Sequence, residues 1–147
     1  MKITTLTSIL LCATLASSGV TAANNKSVIK HRQAVMEAIG GHFGAAFSTM
    51  RGMEQFDENQ TFHAEAVARL AKISAKTYPA GSGEGKTKAS AAIWENPEDF
   101  QKAMDKFLLK ADEFAAAAKT KDLKVYGAAA KALGGSCKGC HDDFKEK

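Results

Sequence analysis

Four things are missing from this sequence, and each absence removes a class of protein. There is no second pair of cysteine or histidine residues at metal-ligand spacing, which excludes a four-ligand structural zinc site. There is no convincing strand pattern, which leaves an all-α chain. No general base or nucleophile triad is present, so the chain is read as a non-enzyme. The apolar run from Ile3 to Ala16 is broken by Thr4, Thr5, Thr7, Ser8 and Thr14, and is too short and too threonine-rich to span a bilayer.

That run follows Lys2 and leads to Val20-Thr21-Ala22-Ala23, the pattern of a secretory signal peptide. Residues 1–22 are expected to be cleaved, after Ala22 or Ala23, leaving residues 23–147 as one domain without a membrane anchor. Cys12 follows Leu11 rather than a small residue, which argues against a lipid anchor. Losing the leader takes away Lys2, so the formal charge of +4 falls to about +3, with acids interspersed. So weak a basic balance is not a nucleic-acid patch. Acidic redox partners remain compatible with it.

Cleavage also removes Cys12 and leaves two cysteines, both in Cys137-Lys138-Gly139-Cys140-His141. This is C-x-x-C-H, the attachment signature of a c-type haem. Two thiols must reach the two vinyl edges of one porphyrin while the following imidazole comes up beneath the iron. On a helix Cys137 and His141 share a face with Cys140 beside them, so all three can meet one flat ligand. A disulfide would use the same two residues. A thioredoxin-like redox pair belongs at a helix N-terminus in a βαβ pattern, whereas this pair lies near the end of a helical stretch.

Helical periodicity appears four times. Val28, Arg32, Val35, Met36, Ile39, Phe43, Phe47 and Met50 mark a helix from about Ser27, its expected cap, to Arg51. Gly40-Gly41 in its middle gives room for a backbone or a porphyrin to come close. Phe62, Ala66, Val67, Leu70, Ile73 and Thr77 mark a second helix over 60–77, with Asp57 or Asn59 as cap. An irregular passage from Tyr78 to Ala92 follows, closed by the sole tryptophan, Trp94. A loop of that length is expected to be functional or packed on something. The third helix starts at Asn96-Pro97-Glu98-Asp99 and runs on Phe100, Met104, Phe107, Ala111, Phe114 and Ala118. The fourth follows a Thr120-Lys121 turn and uses Leu123, Tyr126, Ala130, Leu133, Cys137, Cys140 and Phe144. The expected architecture is an antiparallel up-and-down four-helix bundle with the covalent haem in its core. Phe144, one turn beyond Cys140, is expected near the porphyrin.

The chain resembles the cytochrome c′ family, the class II c-type cytochromes. The resemblance rests on Arg32-Gln33 followed by Met36, Gly41-His42-Phe43-Gly44, Phe56-Asp57, Pro79-Ala80-Gly81, Ala92-Ile93-Trp94, and Ser136 to His141 with Phe144 beyond. It implies one haem c bonded through Cys137 and Cys140, with His141 as proximal ligand. It also implies Arg32 near a haem propionate and Trp94 at the haem edge. Met36 occupies the position that decides between branches of the family. As a thioether opposite histidine it would be a sixth ligand suited to electron transfer; as core filler it would only shield an open face. Two departures stand out: Lys145 replaces the arginine usual four residues after the haem histidine, and the stretch from Gly52 to Asp57 lacks the family's proline.

The expectation placed first is a periplasmic one-electron carrier with iron between His141 and Met36. The alternative is a five-coordinate, high-spin protein that binds nitric oxide or carbon monoxide in sensing or detoxification. Periplasmic redox proteins and a second copy of the chain are the expected partners. The remaining histidines, His31, His42 and His63, are read as surface or loop-packing residues.

Overall fold

A computed structural model of the chain describes residues 22–50 and 58–147. The leader to residue 21 and the connection 51–57, which carries the expected cap Asp57, lie outside the described residues. Five helices follow in order: α1 (Ala22–Met50), α2 (Glu58–Ser74), the single turn α3 (Ala92–Glu95), α4 (Pro97–Lys119) and α5 (Leu123–Phe144). Among the described residues the one β feature is an isolated antiparallel bridge between Ala89 and Lys145. No helix among them is long and apolar enough to cross a membrane.

The four long helices run up and down. Lys72–Asp112 and Lys119–Glu65 ion pairs align α2 antiparallel to α4, and Phe114 stacked on Tyr126 with Phe100 edge-on to Phe144 aligns α4 antiparallel to α5. α1 packs on α2, α2 on α4 and α4 on α5, but α1 and α5 barely meet. The bundle is closed on three sides and parted on the fourth.

Helix ends follow local chemistry. Pro97 fills the first turn of α4, where its missing N–H has no helical partner to lose, and Glu98 and Asp99 sit at the positive end of the helix. Asn96 occupies the cap position, though its side chain makes no capping bond. α1 already begins at Ala22, so Ser27 lies inside the helix and is not its cap. Asn59 likewise falls inside α2. α5 is capped by Asp122, whose carboxylate accepts from the N–H groups of Lys124 and Val125 at 2.8 and 3.1 Å. Asp122→Ala should therefore cost about 1 kcal/mol in the thermal unfolding of the haem-loaded protein.

The core is built from small residues as much as large ones. α4 buries Met104, Phe107, Ala111, Phe114 and Ala118, and α5 buries Tyr126, Ala130 and Leu133, as the periodicity expected. α2 departs from expectation. It buries Gln60, Ala64, Val67, Ala68, Ala71 and Ser74, while Phe62 is 62% and Ile73 44% exposed. Lying between α1 and α4, this helix presents alanines because close approach on two sides leaves no room for larger side chains.

The passage 75–91 is held down along its length. Ser90 N–H donates to Phe144 O and Glu146 N–H to Lys88 O, tying it to the C-terminus. Asn25 Nδ2 donates to Gly81 O and Gln33 Nε2 to Lys86 O, tying it to α1. Gly81 turns the chain at φ +79°, a conformation that a side chain would strain.

Candidate haem site

The parting between α1 and α5 is a cavity of about 380 Å³, within the ~300–1,000 Å³ of pockets that bury a whole small ligand. α1 lines it with Met36, Ile39, Gly40 and Phe43; α4 with Phe100, Met104 and Phe107; α5 with Leu133, Cys137, Cys140, His141 and Phe144. Its walls are mainly apolar. A Cβ on Gly40 would meet no atom within 4 Å, so this glycine widens the cavity rather than admitting a neighbouring backbone.

The three residues of the C-x-x-C-H signature come together on one face of α5 as helical spacing requires. Cys137 and Cys140 are half-buried, and neither is in a disulfide. Burial raises both thiol pKa values above their ordinary range, and for Cys140 the neighbouring Cys137 and Asp143 add to the rise. His141 stands at the mouth of the cavity. Burial lowers its pKa, Lys145 lowers it further and Asp142 opposes them. The neutral imidazole that a metal needs is thereby favoured.

Met36 lines the same cavity from α1, facing α5. Phe144, 7% exposed, lines it too, in edge-on contact with Phe100 at 5.3 Å between ring centroids. Lys88 and Lys145 stand at the rim, brought there by the Ala89–Lys145 bridge. Two thiols, an imidazole, apolar walls and a rim with two lysines beside Glu37 make up a donor set and shape that suit a haem with its two carboxylates. The residues fit the group.

Two of the expected haem contacts have a different setting. Arg32 reaches the cavity lining but is only 3% exposed, and four of its N–H donors are committed elsewhere. Nη1 donates to Thr77 O and Ser82 Oγ, and Nη2 to Ser82 O and Thr87 Oγ1, at 2.9–3.2 Å. A buried guanidinium must satisfy its donors, and the loop's oxygens do so. Those bonds tie Arg32 to the loop. Arg32→Ala should cost about 3 kcal/mol in denaturant unfolding of the haem-loaded protein, because it strands the buried carbonyls of Thr77 and Ser82.

Trp94 does not line the cavity. Its ring packs on the 79–83 turn, where Nε1 donates to Pro79 O at 3.2 Å and a Cβ on Gly83 would come within 2.7 Å of the indole. The Arg32 guanidinium lies 5.8 Å from the Trp94 ring centroid and 5.0 Å from that of Tyr78. Trp94 is thus a staple for the loop.

Sequence reasoning missed Tyr78, which lines the cavity at the start of the loop, and whose pKa burial pushes up to about 12. Its place between an apolar helix end and Pro79 offered no periodic signal. Val67, Ile93 and Leu133 also face the cavity.

An up-and-down bundle whose last helix presents C-x-x-C-H to an apolar cavity defines a covalent-haem protein of the class II cytochrome kind. Residues 27–145 match the family model described as cytochrome c′, and the chain belongs to that family. It is 37% identical over 121 residues to cytochrome c′ of Rubrivivax gelatinosus, covering 81% of this chain and 94% of that one. The crystal structure of the Rubrivivax protein superposes with a TM-score of 0.79, covering 83% and 97%. Cytochrome c-556 of Agrobacterium fabrum is 32% identical over 148 residues, covering 100% of this chain and 98% of that one. Structures of Alcaligenes xylosoxidans cytochrome c′ variants, one with bound carbon monoxide and one ferrous with bound nitric oxide, are 26% and 27% identical. Their TM-scores are 0.79 and 0.78; they cover 85% and 84% of this chain, and it covers 98% and 96% of theirs. As a family member the chain carries one haem c, bonded through Cys137 and Cys140.

Proposed function

We propose that this is a periplasmic single-haem cytochrome that binds a small uncharged gas, nitric oxide or carbon monoxide, on the side of the haem away from His141. The observation that carries the reading is the inner wall α1 presents to the cavity: Met36, Ile39 and Phe43 line it without a histidine, while the polar α1 residues Gln33 and Glu37 are exposed and Arg32 is bound to the loop. The haem supplies the iron that takes the gas.

The chain's own residues set the conditions. Cys137 and Cys140 would hold the group, and His141, whose pKa burial lowers, would supply an imidazole to its iron. Met36, an unbranched and adaptable side chain on the cavity wall, would move for a small ligand. Arg32, bound to the loop through four donors, is not placed to give a proton to a bound molecule. That favours reversible binding over peroxidase-type chemistry, and no enzymatic activity is assigned. Lys145, a point charge without a planar fork, changes the proximal surroundings relative to members with arginine there. The two gas-bound Alcaligenes structures support this reading better than the electron carrier expected first. Residues 1–22 are read as the export leader, with periplasmic redox proteins and a second copy of the chain as partners.

The carrier reading keeps one observation in its favour: Met36 lines the cavity that α5's His141 also lines, with a thioether suited to haem iron. Carbon monoxide titration of the reduced protein separates the two. Rapid, saturable binding of one molecule per haem is expected; resistance to carbon monoxide would overturn gas binding and favour the carrier.

A further inference from the structure

Outside the haem site, two imidazoles meet across α1 and α2. His42 Nδ1 and His63 Nδ1 are 2.9 Å apart, with ring centroids at 5.2 Å. At that distance one ring donates an N–H to the other's lone pair, so a single proton sits between them. The pair borders a shallow hollow of about 270 Å³ lined otherwise by Ala38 and Gly41. A Cβ on Gly41 would meet no atom within 4 Å there. Phe62 packs edge-on against both rings, at 5.6 and 5.3 Å between centroids.

We propose that His42 and His63 form a two-imidazole clamp for a divalent transition-metal ion of the copper class, bound in the hollow between α1 and α2. Metal–imidazole bonds are about 2.0–2.1 Å long, so two of them at a right angle hold their nitrogens about 2.9 Å apart. That separation already exists. Each ring must turn about its Cβ–Cγ bond to aim its lone pair into the hollow, which shifts its Nδ1 from the present hydrogen bond, and the helices need not part. The shared proton passes to solvent as the ion enters.

Ligand chemistry favours the ion, since imidazole suits copper. A right-angled pair is one edge of the tetragonal arrangement that copper(II) and nickel(II) favour, and copper(II) leads the affinity order. Among the described residues no cluster of three or more histidine, cysteine or acidic side chains forms, so water fills the remaining positions. The small Ala38 and Gly41 leave space for it.

The test is a titration of the oxidised, haem-loaded protein with copper(II) chloride, followed by electron paramagnetic resonance and by melting temperature. One copper per chain is expected, with splitting from two nitrogens and a rise in melting temperature. His42→Gln and His63→Gln should each weaken binding by roughly tenfold or more while leaving the haem spectrum unchanged. His31→Gln, on the exposed side of α1, should bind as the parent does. Equal affinity in the His42→Gln/His63→Gln double variant, one copper per two chains, or no uptake would each overturn the clamp.

Discussion

Made as the Cys137→Ser/Cys140→Ser double variant, the chain should lose cooperative tertiary structure while keeping much of its helix. The reason is the parting between α1 and α5. A cavity of about 380 Å³, at ~24 cal/mol per Å³, represents up to ~9 kcal/mol of lost packing if it stays open. Net stability of a domain is only about 5–15 kcal/mol. Without the group that fills it, the bundle must collapse α1 onto α5 and give up the packing of Met36, Phe43 and Phe107. The expected product is compact and helical, binds a hydrophobic dye and has weak near-ultraviolet circular dichroism. Denaturing mass spectrometry should find no haem on it. A cooperative unfolding transition as stable as that of the haem-loaded protein would show that the helices do not depend on the group between them.

Met36→Ala should leave the oxidised iron high-spin and speed carbon monoxide binding to the reduced protein by about tenfold or more. Met36 is half-buried and packs at the edge of the core. An incoming ligand must displace its thioether and terminal methyl. Contacts of that size amount to about 1–2 kcal/mol, and each 1.4 kcal/mol off a barrier is tenfold in rate. Stopped-flow mixing measures it. If Met36 is instead the sixth ligand, the same substitution converts a low-spin parent into a high-spin variant, and the change of spin state rather than of rate is the large effect.

The parts legible in the sequence are those where large apolar side chains carry the pattern. The lines of α4 and α5 appear in the structure almost residue for residue, and with them the face that holds Cys137, Cys140 and His141. α2 was legible as a helix but not in its orientation. A count of bulky residues points to Phe62 and Ile73, whereas a helix pressed between two neighbours buries Ala64, Ala68 and Ala71. Ser27 was a reasonable cap only for a helix that starts there, and nothing local marks how far α1 extends toward Ala22.

At the site, motif and spacing reveal which residues could hold a haem but not what long polar side chains do. Arg32 sits where a propionate contact is reasonable, yet its bonds to Thr77, Ser82 and Thr87 depend on how a loop some fifty residues away folds back. Trp94 is held by Pro79 and Gly83 for the same reason. His42 and His63 were separately unremarkable; only the packing of α1 on α2 makes them a pair.

Electron paramagnetic resonance of the purified, oxidised protein tests most directly whether a covalent haem is held by His141 with its opposite face free. A high-spin ferric signal from one haem per chain is the predicted result. A low-spin signal of histidine–methionine type, or no haem iron at all, would contradict it.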